Sequence, residues 1–337
     1  MKKISFLIVV GFFLLPFAGC KKENVPVPPG QDWIYNPAPY QLTIPQFFPI
    51  LDIPADNPQT VEGVKLGRML YYDPVLHPDS AMACANCHLQ EKSFTSSGTV
   101  LPHLNLGWNT AFLWNGKVQG TLEDIMLFEV KDFFKTDLDR LRQHPEYPRL
   151  FYESFGEKTI TYELAAKALS QFARTMVSSN SKYDQVIDAT LGIFLTDEEQ
   201  NGYDIFFTEK GDCFHCHGGI LFTDNQFHNN ALDASPDAGL SEISNLPSDF
   251  GKFKSPTLRN IELTGPYMHD GRYQTLEQVI DFYSEGLKKS DTVDPLMKSL
   301  HLGGKHLTAQ EKSDLIAFLK TLTDMSYTIN PALSSPF

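Results

Sequence analysis

Two pentapeptides hold four of the chain's five cysteines: CANCH at Cys84, Cys87 and His88, and CFHCH at Cys213, Cys216 and His217. In each, two thiols stand three positions apart and an imidazole follows at once. Three chemistries use such spacing. A zinc site draws four ligands together, ordinarily from two neighbouring knuckles. Here 126 residues separate Cys87 from Cys213, and zinc has no need of a histidine fixed at that position. A redox-active dithiol of the thioredoxin kind belongs in a βαβ setting, and no such pattern surrounds either pair. A c-type haem uses every residue, because the thiols add to the porphyrin vinyl groups and the next imidazole turns onto the iron as an axial ligand. The pattern predicts two covalently bound haem c groups, with His215 a spacer inside the second unit.

The elements that must position these units repeat as well. Leu66-Gly67-Arg68-Met69-Leu70-Tyr71-Tyr72 precedes the first unit, and Asn201-Gly202-Tyr203-Asp204-Ile205-Phe206-Phe207 precedes the second. Each reads as an amphipathic helical stretch ending in two aromatics, suited to packing against a flat porphyrin. After each histidine a short polar segment leads to Phe-Thr, at Phe94-Thr95 and Phe222-Thr223. This is the mark of a duplicated cytochrome c-like module. Helix signals dominate elsewhere. Thr121 to Asp124 has capping-box spacing, Tyr162 to Val177 has a 3.6-residue apolar period, and Thr196 and Thr308 cap two more helices. The expected fold is mainly α, with two cytochrome c-like haem domains packed together and long connecting loops. The expected boundaries are 59–180 for the N-terminal domain and 181–337 for the C-terminal one. Residues 218–255, rich in Gly, Asn, Asp and Pro, read as long functional loops.

Residues 1–19 pair a short basic start with an apolar run too short to span a bilayer comfortably, and they end at Phe17-Ala18-Gly19-Cys20. This resembles a bacterial lipoprotein signal, with Phe17 where leucine is usual, and implies a membrane anchor through a lipid on Cys20. An ordinary secretory signal is the alternative. Either places the mature chain in the periplasm or cell envelope. Residues 20–58 are proline-rich and read as a tether. A length of 337 residues, with 42% hydrophobic and 20% charged residues, suits a globular chain. The net charge of −13 argues against a nucleic-acid surface and decides little else.

Taken with LGRMLYYDPVLHPDSAMACANCH (66–88), LNLGWNTAFLWNGK (104–117), KGDCFHCH (210–217) and KSPTLRNIELTGPYMHDGRYQTLEQVIDFYSEG (254–286), the chain resembles the bacterial di-haem cytochrome c peroxidase and MauG family beyond about residue 60. The resemblance implies that the haem on Cys84, Cys87 and His88 reacts with hydrogen peroxide. The haem on Cys213, Cys216 and His217 would relay electrons from a small donor protein such as cytochrome c. Trp114 matches the family's tryptophan between the haems. Tyr283 matches the second axial ligand of the C-terminal iron: a methionine in peroxidases, a tyrosine in MauG. Met268 is the fallback ligand, and a stripe of Leu276, Val279, Ile280 and Tyr283 would equally suit a helix core. Thr264 and Pro266 match a calcium-binding turn, although the family's asparagine partner is not evident. The family's distal glutamine and glutamate have no clean counterpart, which leaves Glu129 and Asp132 as the acid–base candidates. His103 stands where some peroxidases carry a removable sixth iron ligand. The implied activity is reduction of peroxide to water. A MauG-like oxidase acting on a protein or organic substrate and a non-catalytic electron-transfer cytochrome are the alternatives.

Overall fold

Threonine and serine side chains start most of the longer helices, each accepting from a free backbone N–H of the first turn. The computed structural model describes residues 33–96 and 99–337. The signal peptide, Cys20 and the beginning of the tether lie outside the described residues. The chain is mainly helical: α1 Val61–Tyr72, α2 Cys84–Cys87, α3 Leu122–Phe128, α4 Leu138–Gln143, α5 Tyr147–Phe155, α6 Tyr162–Arg174, α7 Lys182–Ile187, α8 Asp197–Phe206, α9 Phe214–His217, α10 Ser241–Ser244, α11 Leu276–Glu285, α12 Ala309–Lys320 and α13 Met325–Thr328. Thr121, Thr196 and Thr308 form the expected capping boxes with Asp124, Glu199 and Glu311. The helix expected to run to Val177 ends at Arg174, and Thr175 serves as its C-cap.

Strand content is small. β1 (Ala111–Phe112) pairs antiparallel with β2 (Val118–Gln119), and β3 (Phe227–His228) with β4 (Phe253–Lys254). Gly116, at the tip of the first hairpin, has φ +69°, and a Cβ there would lie 2.4 Å from the Phe227 ring. A glycine is required on both counts.

Two hydrophobic clusters form among the described residues. One gathers side chains from Leu66 to Met176, together with Tyr327 and Leu333. The other runs from Ile205 to Leu322. Each is built on one close helix crossing. In α1, a Cβ on Gly67 would stand 1.9 Å from the Ala168 carbonyl oxygen and 2.9 Å from Phe172 Cβ of α6. In α8, a Cβ on Gly202 would stand 2.0 Å from the Asp314 carbonyl oxygen and 2.8 Å from Phe318 Cβ of α12. Four residues after each glycine an aromatic ring meets that same phenylalanine: Tyr71 on Phe172 at 5.4 Å and Phe206 on Phe318 at 5.3 Å. The repeat in the sequence is therefore a repeated crossing in space.

Candidate haem sites

Each CxxCH unit coils into a single helical turn, and the histidine that follows is tethered at one ring nitrogen. His88 Nδ1 donates to the Phe94 carbonyl at 2.9 Å. His217 Nδ1 lies 3.1 Å from the Pro256 carbonyl and 3.3 Å from that of Phe222. A carbonyl can only accept, so Nδ1 carries the proton and Nε2 keeps its lone pair for a metal. Phe94 and Phe222 are fully buried, and both adopt left-handed backbone, φ +57° and +51°. The Phe-Thr pairs noted in the sequence are thus the turns that aim the two imidazoles. Burial holds both histidines neutral, with pKa values lowered to about 4.

No disulfide joins Cys84, Cys87, Cys213 or Cys216. Burial pushes Cys84 far up and Cys213 to about 12, so neither is an activated thiolate. Around Cys213, Cys216 and His217 opens a large, mostly apolar cavity walled by Leu276, Ile280, Leu315 and Leu319. Two linkable thiols, an imidazole with Nε2 free and an apolar slot fit a thioether-bound haem. The same donor set, partly buried, stands at Cys84, Cys87 and His88. Bound iron would be held by His88 and His217.

Tyr283 and Met268 both face the C-terminal cavity. Asn230 Nδ2 donates to the Tyr283 hydroxyl at 3.0 Å and lies 3.7 Å from Met268 Sδ. Burial raises the Tyr283 phenol to about 12, while the Asn230 hydrogen bond works in the opposite direction. The stripe holds together: Leu276, Val279, Ile280 and Tyr283 all line the cavity, and Leu276 and Ile280 also pack in the second cluster. His228 stands on the cavity wall between two carboxylates, with Nε2 on Asp224 and Nδ1 on Asp294, both at 2.7 Å. Asp224 first, and the Cys216 sulfur second, hold it protonated, with a pKa near 11.

Trp114 borders the same cavity from the first hairpin, its indole N–H donating to the Thr99 carbonyl at 2.7 Å. The backbone N–H of Lys254, in β4, donates to the Trp114 carbonyl. Thr264 and Pro266 line this cavity too.

The two acid candidates part company. Both lie in a π-helical turn, Glu129–Phe133, a distortion frequent at functional positions. Asp132 is exposed. Glu129 turns inward, near enough to Cys84 for its charge to bear on the thiol, and burial raises its carboxyl to about 7. His103, the candidate sixth ligand, stands directly against His88. Its ring lies flat on the His88 ring, with centroids 3.4 Å apart and planes 18° apart. His103 Nδ1 meets the buried Tyr71 hydroxyl at 3.1 Å. Sequence reasoning missed Asn230 and His228. Both lie in the loop-rich 218–255 stretch, where no periodic pattern distinguishes one polar side chain from another.

A family model described as di-haem cytochrome c peroxidase matches residues 61–190. The chain is 33% identical over 295 residues to the methylamine utilization protein MauG of Methylorubrum extorquens, covering 80% of each. It is 30% identical over 321 residues to the cytochrome-c peroxidase IdrP2 of Denitromonas iodatirespirans, covering 80% of this chain and 84% of that protein. Among solved structures, a MauG-like protein associated with microbial copper homeostasis superposes with a TM-score of 0.80 at 35% identity, over 88% of this chain and 99% of that one.

Proposed function

Because the chain belongs to the family of di-haem cytochrome c peroxidases and MauG proteins, a family of haem-dependent oxidoreductases, we propose that it reduces hydrogen peroxide to water with electrons from a small periplasmic donor such as cytochrome c. The observation that carries this reading is the twofold one: two histidines, each tied at Nδ1 to a phenylalanine turn, with the Glu129 carboxyl, raised to about 7 by burial, near the first thiol pair. Haem iron, when bound, supplies the electron exchange that cleaves the O–O bond. Cys84 and Cys87 fix one macrocycle and His88 offers Nε2 as its axial ligand; Cys213, Cys216 and His217 do the same for the other. Glu129, in its carboxylate form, would take a proton from one oxygen of a bound peroxide. It returns that proton to the departing oxygen. Trp114 would conduct electrons between the two haems, and Tyr283 would hold the C-terminal iron opposite His217.

The test is steady-state peroxide consumption by holoprotein supplied with reduced cytochrome c. Turnover well above that of free haem is expected. Turnover no better than free haem would return the chain to a non-catalytic electron carrier.

The second reading, a MauG-like oxidase of a protein or organic substrate, is favoured by one observation: a phenol, held by Asn230, borders the cavity that His217 also lines. A hard anionic oxygen stabilises ferric iron and lowers its potential. Redox titration followed by electron paramagnetic resonance separates the two. A low-potential His–Tyr centre supports the oxidase, and a readily reduced His–Met centre through Met268 removes it.

The proposal extends to haem domains at 59–180 and 181–337, a calcium ion at Thr264 and Pro266, and a lipid on Cys20. No helix of the described residues is long and apolar enough to cross a membrane. Metal analysis of holoprotein and the mass of the mature N-terminus would check the ion and the lipid.

A further inference from the structure

Between the two histidine-bearing turns lies a buried polar junction that the chemistry above does not use. Asn260 is completely buried, with φ +58°. Its Nδ2 donates to Ser93 Oγ at 2.5 Å. Its Oδ1 accepts from the Asp324 backbone N–H at 2.7 Å and from Ser178 Oγ at 3.3 Å. Its own N–H donates to the Leu322 carbonyl at 3.0 Å. A buried amide with its donor and acceptor both engaged is a rigid joint, since releasing either partner leaves a desolvated polar atom.

The position of the joint matters. Ser93 is fully buried, has φ +59°, and immediately precedes Phe94, the carbonyl acceptor of His88 Nδ1. Two consecutive non-glycine residues in left-handed backbone persist only where their surroundings hold them: the Ser93 and Phe94 N–H groups donate to the Gln90 and Leu89 carbonyls, and Asn260 ties the Ser93 side chain to the rest of the junction. On the other side, Asn260 closes the segment that begins at Pro256, the carbonyl acceptor of His217 Nδ1. Within that segment the Leu258 N–H donates to the Phe222 carbonyl, the second acceptor for His217. One side chain therefore fixes the loops that aim both imidazoles.

A hydrogen bond from Nδ1–H gives a ligating imidazole more anionic character and lowers the potential of the metal it binds. We propose that Asn260 is a positioning residue for both centres. By clamping the Ser93–Phe94 turn and the 256–260 segment together, it sets the two midpoint potentials jointly. This rests on the assignment of His88 and His217 as ligands.

The experiment uses holoprotein carrying both haems, with spectroelectrochemical titration of each centre. Asn260→Ala is expected to move both midpoints to more positive potential. Ser93→Ala, which loses a single oxygen and keeps the fold, is expected to move the N-terminal midpoint alone. Ser93→Ala with that midpoint unchanged overturns the proposal. So does Asn260→Ala that melts at a lower temperature while both midpoints stay in place, the result of a merely structural joint. His88→Met and His217→Met serve as controls: if the spectrum of the corresponding haem does not change, it is the ligand assignment that has failed.

Discussion

Asn230 offers one amide to two different atoms, the Tyr283 hydroxyl and the Met268 sulfur, the two side chains proposed as the second ligand of the C-terminal iron. Tyr283→Phe removes the oxygen and leaves the ring. The expected result is an altered absorption and resonance spectrum of the C-terminal haem alone, with the N-terminal haem unaffected; an unchanged spectrum would return Tyr283 to the helix core. Glu129 carries a pH-dependent prediction. Its folded pKa, about 7 through burial, exceeds the unfolded value of 4.5. Its neutral form therefore costs the fold nothing below pH 4.5, and stability is lost as pH rises through 7. Glu129→Gln should match the wild type in thermal stability at pH 5 and exceed it at pH 8, by about 1–3 kcal/mol. Its peroxide turnover should nevertheless fall on the order of 10²-fold or more if the carboxyl moves the proton. Both CxxCH units were legible from spacing alone, because thioether formation and axial ligation leave no freedom in that pattern. Glu129 and Asp132 could not be ranked in the sequence, since only the π-helical turn decides which carboxyl enters the protein.

At the level of elements, the glycine of each repeat is what brings two helices into backbone contact. Gly67→Ala would drive a methyl into the Ala168 carbonyl, and Gly202→Ala would do the same at Asp314. Backbone cannot rotate away as a side chain can, so each substitution should cost about 1–3 kcal/mol, toward the upper end. Denaturant unfolding measures this, with an equal cost at both positions expected if the crossings are equivalent. The rhyme of Leu66-Gly67 with Asn201-Gly202 was visible in the sequence; the partners were not. Ala168 and Phe172 lie about a hundred residues after their glycine, as do Asp314 and Phe318, and periodicity within a helix says which face is buried but not against what. The threonine caps were legible because a cap is a local device. The Phe-Thr turns were seen as a rhyme, but their carbonyl bonds to the histidines depend on left-handed backbone at Phe94 and Phe222, which no propensity favours for an aromatic residue.

Across the whole molecule, the last dozen residues return to the first site. Tyr327 and Leu333 are buried in the cluster that otherwise ends at Met176. The Tyr327 hydroxyl donates to the His103 carbonyl, and its ring meets Phe94 edge-on at 5.4 Å. Arg68 of α1 donates to the carbonyls of Pro331 and Ser334, and Tyr72 to that of Leu333. No pattern in the sequence points to this, because MSYTINPALSS carries no motif and its partners stand some 220 to 270 residues earlier. The tail thus finishes the wall behind the CANCH histidine with residues supplied from the far end of the chain. A chain ending at residue 324 keeps the Asp324 carboxylate and every ligand of both haems, yet it loses the side chains of Tyr327 and Leu333 from the first cluster. Burying two such side chains is worth roughly 3–6 kcal/mol. The truncated protein should therefore unfold at lower denaturant in its N-terminal half while the C-terminal cluster holds. The measurable sign is a transition that splits in two when each haem's absorption is followed during the melt. A single transition at the full-length midpoint would mean that the tail only lies against a site already complete without it.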